Sequence, residues 1–221
     1  EQERGEAARV GREWGGLVYR ETVRRGYGRG RNQASGGYRC ARIGEYFNRF
    51  YFEHLPCELT AAQKRVIKEI RADMGSGRQM NRLLQGDVGS GKTLVALLCM
   101  LIALDNGMQA CLMAPTEILA TQHFETLRSL VAPLGISVAL LTGSTPAARR
   151  REIHTGLMDG SIHILVGTHA VLERPVEFLR FGFGVIDEQD RFGLAPRSSL
   201  CGNRHLPPQL LAQPHQPTTP T

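Results

Sequence analysis

The chain has 221 residues, of which 42% are hydrophobic and 22% are charged, and its formal net charge is +6. These are ordinary values for a globular chain that can bury a sizeable core, and the modest positive charge permits a polyanionic partner without requiring one. The longest apolar run, residues 94–104, is too short to span a bilayer, and the polar start shows no signal-peptide pattern, so we expect a cytoplasmic protein.

The number and spacing of the cysteines support neither a metal site nor disulfide bonds. There are five of them, they are widely spaced and none forms a C-x-x-C pair: Cys40, Cys57, Cys99, Cys111 and Cys201. This pattern supports neither a zinc site nor a disulfide framework. Cys99 and Cys111 lie in apolar runs, where a buried thiol is expected.

Residues 1–43 differ from the rest of the chain. They contain ten arginines and a glycine-rich stretch at 25–31, with no sustained apolar period. Such a segment buries too little apolar surface to offset its ordering entropy, so we predict a disordered Arg/Gly-rich extension. A single-stranded nucleic-acid tail is the alternative, because arginine and the tyrosines at 19, 27 and 38 can stack on bases.

From residue 44 to about residue 200 the sequence alternates between helical and strand patterns. An aromatic helical face over 46–51 ends before Pro56, and Thr60 is predicted to cap the next helix. Helices are predicted at 61–74, 94–104, 117–130 and 147–158, and strands at 79–85, 110–113, 138–141, 162–166 and 185–186. Strands separated by helices of this length predict an α/β fold with a mainly parallel, doubly wound sheet. The proline-rich residues 201–221 are predicted to form an unstructured tail.

A phosphate-binding loop joins the strand at 79–85 to the helix at 94–104. The match to G-x-x-x-x-G-K-[ST] comprises Gly86, Asp87, Val88, Gly89, Ser90, Gly91, Lys92 and Thr93. Backbone N–H groups and the helix N-terminus favour an anion at such a loop. Lys92 is predicted to reach the β- and γ-phosphates of ATP, and the Thr93 hydroxyl to bind Mg²⁺.

Two adjacent acids end the strand at 185–186. Asp187 can hold Mg²⁺ through water, and Glu188 can polarise the attacking water, which makes both candidate catalytic residues together with Lys92. Solvated carboxylates at a strand end are the plainer interpretation of such a pair. The preceding phosphate loop in the same predicted sheet favours the catalytic interpretation.

Several short segments follow one another in a fixed order between residues 44 and 193: Leu55-Pro56 to Gln63, Gly86 to Thr93, Ala114 to His123, Thr142 to Ser144, Val166 to Ala170, and Asp187 to Gln189 with Arg191 to Gly193. Together these motifs resemble those of the RecG family of superfamily 2 helicases. The resemblance implies a RecA-like P-loop domain of an ATP-dependent DNA translocase that remodels forks and Holliday junctions. It also implies that Gln63 contacts the adenine.

The same resemblance implies a DNA groove next to the ATP site. Its candidate residues are Pro115, Thr116, Gln122, His123, Thr142, Gly143, Thr168 and His169. Small hydroxyls, backbone N–H groups and imidazoles of this kind position a phosphate backbone without reading its sequence. The alternative is purely local, because Thr116 can cap its helix and the segment 142–144 can be a turn.

Some family features are absent from this sequence. Asp190 stands where the family has His, Cys57 stands where an aromatic residue is usual, and no Thr-Ala-Thr-Pro motif follows the acids. We also find no counterpart within these 221 residues of the family's second RecA-like domain, which would supply an arginine finger, or of its N-terminal wedge domain. We therefore expect a motor-domain fragment with little activity by itself.

Three other interpretations stay open at this point. The chain could be an inactive nucleotide- or DNA-binding remnant of a disrupted helicase gene. It could be a fragment of a transcription-repair coupling translocase, although Gln189 and the segment 117–118 favour RecG. A small-molecule P-loop kinase is the third, and it leaves the motifs at 142–144 and 168–169 unexplained.

Overall fold

A mainly parallel sheet with helices on both faces organises the part of the chain that the computed structural model describes. That part comprises residues 18–21, 38–86, 90–168, 176–187 and 208–213. The strands are β1 Val18–Glu21, β2 Asn81–Gln85, β3 Gln109–Met113, β4 Val138–Leu141, β5 Ile164–Gly167, β6 Phe181–Asp187 and β7 Gln209–Gln213. The helices are α1 Glu45–Arg49, which continues as a π-helical turn Phe50–His54, α2 Ala61–Met74, α3 Lys92–Asp105, α4 Glu117–Val131, a 3₁₀ turn Ala132–Leu134, and α5 Ala147–Asp159.

The sheet order is β1-β2-β7-β6-β3-β5-β4. Strands β2 to β7 run parallel to their neighbours, and β1 pairs antiparallel with β2 at one edge. The predicted α/β class, a mainly parallel sheet flanked by helices, is therefore confirmed. The carboxyl ends of six strands consequently meet at one edge, which is where ligands bind in sheets of this type.

Two core clusters cover the two faces of the sheet. Ala110 and Leu112 of β3 belong to the larger cluster, whereas Cys111 and Met113 belong to the smaller one. This division follows from the strand geometry, since successive side chains point to opposite faces. Burial on both faces explains why β3 is a continuous apolar run rather than an alternating one.

Helix α3 lies inside the larger cluster and is buried along almost its whole length. It packs against β3 and β6 on one side and against α1 and α2 on the other. Its sequence is therefore apolar all round, as expected for a fully covered helix. The loop before α3 is held by one of the best-buried elements of the domain.

Helix α2 begins and ends where the sequence indicated. Thr60 Oγ1 accepts a hydrogen bond from Gln63 N at 3.2 Å, and Gln63 Oε1 accepts one from Thr60 N at 2.9 Å. This reciprocal capping box satisfies two N–H groups that the helix start leaves unpaired. Gly75 follows the last residue of the helix.

The prediction of an unstructured tail over 201–221 is wrong for Gln209–Gln213. This segment forms β7, a central strand between β2 and β6. Leu210, Leu211 and Ala212 are at most 5% exposed, and the prolines at 208 and 214 flank the strand instead of interrupting its ladder. Residues 201–207 and 214–221 lie outside the described residues.

The predicted disorder of residues 1–43 does not hold for the parts that are described. Val18–Glu21 forms β1, and Cys40 is fully buried, with its N–H donating to Met74 O at 2.9 Å. Gln209 attaches this segment to the sheet: its Nε2 donates to Tyr38 O at 2.7 Å. The remaining residues before 38 lie outside the described part.

Cys99 and Cys111 are buried, as their apolar sequence context predicted. Cys40, Cys99 and Cys111 are buried and Cys57 is exposed, and all four are free. Burial raises the pKa of the Cys40 thiol to about 11 and that of Cys111 to about 12. Within the described ranges, no group of three potential metal ligands of the His, Cys, Asp or Glu type is found, and no helix is long and apolar enough to cross a membrane.

Asp105 joins the end of α3 to the start of α1. Its Oδ2 accepts hydrogen bonds from Gly44 N at 2.8 Å and Phe47 N at 3.1 Å, and its Oδ1 accepts one from Tyr46 N at 3.0 Å. A Cβ on Gly44 would lie 2.7 Å from Asp105 Oδ1, so glycine permits the close approach. A carboxylate is unfavourable at the end of its own helix, and the N-terminus of α1 compensates for it.

We predict that Asp105→Ala lowers the free energy of unfolding by about 1–3 kcal/mol, because it leaves part-buried N–H groups without a partner. Urea unfolding followed by circular dichroism measures the change. Glu69→Ala, at an exposed position on α2, is the control and should change stability by less than about 0.5 kcal/mol. Equal stabilities of the two variants would contradict the structural role of Asp105.

Candidate functional site

The predicted site residues that the structure describes lie at or beside the carboxyl edge of the sheet, in two groups. The phosphate loop follows β2, and Asp187 ends β6, with β7 between these two strands. The candidate DNA contacts follow β3, β4 and β5, which are neighbours at the other end of the sheet. The sheet order therefore divides this edge into two parts. The part after β2 and β6 holds the residues predicted to bind nucleotide, which we call the nucleotide half, and the part after β3, β4 and β5 holds those predicted to contact a DNA strand, which we call the strand-contact half.

The described part of the phosphate loop has two features that favour a bound anion. Gly91 adopts a left-handed conformation, with φ of 78°, immediately before α3 begins at Lys92. The first N–H groups of a helix have no intrahelical partner and face the loop. Ser90 Oγ is buried and has no hydrogen-bond partner in the described structure. A phosphate oxygen would satisfy this hydroxyl, so the residues present fit a nucleotide. Asp87, Val88 and Gly89 lie outside the described residues.

Gln63 lies directly beside this loop. Its Nε2 donates to Ser90 O at 2.9 Å, while its Oε1 takes part in the capping box of α2. A Cβ added to Gly91 would collide with Gln63 Nε2, which is a second reason for glycine at this position. The structure thus places Gln63 next to the phosphate loop, and its contact with adenine stays a prediction.

Lys92 and Thr93 occupy the first turn of α3. Lys92 Nζ donates to Gly86 O at 2.6 Å, so the ammonium lies over its own loop. Thr93 follows it and is half-buried. Gln213, the last residue of β7, donates from Nε2 to Lys92 O at 3.3 Å. Sequence reasoning missed Gln213, because it lies at the start of a proline-rich segment.

Asp187 contacts His123, one of the residues predicted to line the DNA groove. His123 Nε2 lies 2.7 Å from Asp187 Oδ2, and both side chains are mostly buried, at 15% and 16% exposure. His123 is on α4, so this pair connects the strand-contact half to the nucleotide half. Glu188 lies outside the described residues.

The other strand-contact residues surround the ends of β3, β4 and β5. Thr116 Oγ1 accepts from Leu119 N at 3.3 Å and caps α4, and Thr142 O accepts from Thr145 N at 3.3 Å in a turn. Both local roles that we considered are thus present, and they leave the DNA role untested. Gln122 and Gly143 are exposed, Pro115 is half-buried and Thr168 is 8% exposed. His169 lies outside the described residues.

Glu117 fixes the turn after β4. Its Oε1 accepts from Ser144 N at 3.0 Å, and its Oε2 accepts from Ser144 Oγ at 2.8 Å. These hydrogen bonds stabilise the ionised form and hold the pKa of Glu117 below its ordinary value. No sequence pattern signalled this contact, since the two residues are far apart in the chain.

We predict that the contact between Glu117 and Ser144 is present at neutral pH and is lost as pH falls through the lowered pKa of Glu117. A depressed carboxyl pKa stabilises the folded form above the unfolded-state pKa, and this contribution disappears on acidification. The amide NMR signal of Ser144 should titrate below the ordinary Glu value of about 4.3. In Glu117→Gln this titration should be absent.

The amide of Ser161, which donates to Asp159 Oδ1 at 2.8 Å, is the internal control for that titration. Its midpoint should be the same in both proteins, because Asp159 lies at the end of α5 and is unchanged. A Ser144 titration that persists in Glu117→Gln would contradict the contact.

Known proteins resemble this chain in both sequence and arrangement. The DEAD/DEAH box helicase family matches residues 60–206. The ATP-dependent DNA helicase RecG of Synechocystis sp. is 51% identical over 164 residues, which are 74% of this chain and 20% of that protein. The RecG of Aquifex aeolicus is 48% identical over 158 residues, 72% of this chain and 20% of that protein. The chain spans about 20% of the length of these curated relatives.

Solved structures support the same assignment. RecG bound to a three-way DNA junction resembles this chain with a TM-score of 0.73 and 40% identity, over 82% of this chain and 24% of that one. The yeast DEAD-box splicing factor Prp28 matches with a TM-score of 0.57 at 19% identity, over 78% of this chain and 44% of that one, which supports the fold alone. The predicted RecA-like P-loop fold is therefore confirmed. The chain belongs to the DEAD/DEAH box helicase family, and its helicase domain is of the RecG type.

Proposed function

We propose that this chain is the first motor domain of an ATP-dependent DNA helicase and translocase, which binds Mg-ATP at the nucleotide half of the edge and DNA at the other half. The observation that carries the proposal is the buried, unpartnered Ser90 hydroxyl in a loop that precedes a helix N-terminus. A protein without an anion at this position would leave a polar atom unsatisfied at a cost of about 1–3 kcal/mol.

In the proposed site each residue has a chemical role. The loop residues 86–93 surround the phosphates, Lys92 neutralises the β- and γ-phosphates, and Gln63 contacts the adenine. Thr93 and Asp187 hold Mg²⁺, and Glu188 polarises the attacking water. When bound, Mg²⁺ would neutralise the charge that develops on the phosphates. The position of Asp187 at the end of β6, near the loop after β2, supports this division of roles.

The DNA role rests on the surface at the ends of β3, β4 and β5. Hydroxyls, exposed backbone and amide groups at Thr116, Gln122 and the turn 142–144 suit contacts to phosphate and sugar, which position a strand irrespective of its sequence. A RecG structure is known bound to a three-way DNA junction, and we propose forked or branched DNA as the substrate of the whole protein here as well.

The complete ATP site requires a second RecA-like domain in this proposal. Such a domain would close on the nucleotide and supply an arginine finger, which contributes about 10³–10⁵-fold to the rate in P-loop enzymes. The isolated chain should therefore bind ATP but hydrolyse it feebly and unwind no DNA. The cytoplasmic location predicted from the sequence is part of this proposal.

Two of the alternatives are now disfavoured. The relatives named above are RecG proteins rather than transcription-repair coupling translocases, and the family match is to helicases rather than to small-molecule kinases. An inactive remnant of a disrupted gene remains the competing function. A measurement of nucleotide binding distinguishes an inactive remnant from a competent motor domain.

We predict that the chain binds Mg-ATP and that Lys92→Ala weakens this binding by about 10- to 100-fold, as expected from the loss of hydrogen bonds to a charged group worth about 1.5–3 kcal/mol. Isothermal titration calorimetry measures both affinities. Lys68→Ala, at an exposed position on α2, should bind as the unchanged chain does.

The competing function makes the opposite prediction for the same experiment. A folded, unchanged chain that gives no binding heat with Mg-ATP would identify an inactive remnant. Equal affinities of the unchanged chain and Lys92→Ala would show that nucleotide binds somewhere other than the phosphate loop.

A further inference from the structure

The hydrogen bond between His123 and Asp187 joins a helix of the strand-contact half to the carboxylate of the nucleotide half. The distance from Nε2 to Oδ2 is 2.7 Å, and the two residues are 64 positions apart in the chain. An ionised carboxylate can only accept, so Nε2 carries the proton and donates it. In the described ranges no other hydrogen bond to the side chain of Asp187 is recorded.

Helix α4 holds the imidazole in place. Its N-terminus is capped by Thr116, and its buried face, formed by Ala120, Leu127 and Val131, packs on β4 and β5. Glu117 additionally ties its first turn to the turn after β4. The backbone of Asp187 is fixed separately by its pairing with Gln213 of β7. Two rigid elements therefore meet through one side-chain hydrogen bond.

We propose that His123 is a positioning residue for the metal site, which fixes the orientation of the Asp187 carboxylate for Mg²⁺ binding. This inference rests on the proposed binding of Mg-ATP. The hydrogen bond from His123 Nε2 to Asp187 Oδ2 restricts rotation of the carboxylate about its side-chain torsions. Oδ1, the other carboxylate oxygen, would then accept from a water bound to Mg²⁺. Hydrogen bonds to carboxylates at metal sites orient them in this way, and their loss costs about 10- to 100-fold in metal affinity.

The same bond occupies one of the two ring nitrogens of His123, which belongs to the set of predicted DNA contacts. Its Nε2 is committed to Asp187, and the side chain is only 15% exposed. Gln122, the neighbouring residue, is exposed and belongs to the same set. A change of α4 on strand binding would consequently reach the metal site through His123.

Two amide substitutions, each of which mimics one nitrogen of the imidazole ring, test this role. In His123→Gln the amide nitrogen takes the place of Nε2 and can still donate to Asp187, whereas in His123→Asn the shorter amide lies where Nδ1 was. Both keep a polar side chain on α4, so a purely structural role would not separate them strongly. His154→Asn on α5, at a half-buried histidine away from the edge, is the control.

Electron paramagnetic resonance of Mn²⁺ in the presence of ATP measures the metal affinity of the 221-residue chain. We expect His123→Asn to weaken Mn²⁺ binding by about 10- to 100-fold, and His123→Gln and His154→Asn to stay within about threefold of the unchanged chain. Affinity for ATP in the presence of EDTA should be the same in all four proteins. If circular dichroism shows that His123→Asn is unfolded, His123→Leu replaces it with the same expected loss.

A double-mutant comparison isolates the pair. On an Asp187→Asn background, replacing His123 by Asn should cause no further loss of metal affinity, because the two changes remove the same interaction. Unchanged Mn²⁺ affinity in His123→Asn would overturn the positioning role while leaving the proposed function intact. Failure of the folded, unchanged chain to bind Mg-ATP would overturn the proposed function, and the inference with it.

Discussion

The pairing of β7 with β2 and β6 is the contact on which the site depends. Parallel strands present all their carboxyl ends at one edge, but the loop after β2 and the acid after β6 belong to one site only if a strand fills the space between them. Adjacent strands lie about 4.8 Å apart, so one intervening strand sets their separation near 10 Å. β7 also contributes Gln213, whose amide reaches the carbonyl of Lys92. The nucleotide half of the edge is therefore assembled by a segment distant from its motifs.

Helix α4 connects the two halves of this edge. Through Glu117 it holds the turn after β4, and through His123 it meets Asp187 at the end of β6. A displacement of the turn by a bound strand would act on both contacts, because the helix between them is capped and packed on two strands. In a motor that couples DNA contact to ATP hydrolysis, such a helix gives the two ligands a shared structural element. This coupling depends on the proposed role of His123.

Local signals predicted most of the fold, and non-local contacts account for what they missed. Thr60 and Gly75 indicated the ends of α2 through capping chemistry, and the glycine loop with its following apolar helix indicated the phosphate site. The strand β7 was missed because a short apolar segment between prolines forms a strand only when it pairs with strands on both sides, here β2 and β6. The pairs of Glu117 with Ser144 and His123 with Asp187 were missed because periodicity gives the face of a residue but not its partner. Glu188 and His169 stay predictions.

In the proposed function, one edge of the sheet carries two adjacent ligand sites. Amide NMR of the chain, titrated separately with a non-hydrolysable Mg-ATP analogue and with a short single-stranded DNA, tests it most directly. The nucleotide should shift signals in Ser90, Lys92, Thr93 and Asp187, whereas the DNA should shift those of Thr116, Gln122, Gly143 and Thr168. DNA-induced shifts at the phosphate-loop residues Ser90, Lys92 and Thr93, or DNA-induced shifts confined to the opposite edge of the sheet, would contradict two adjacent sites.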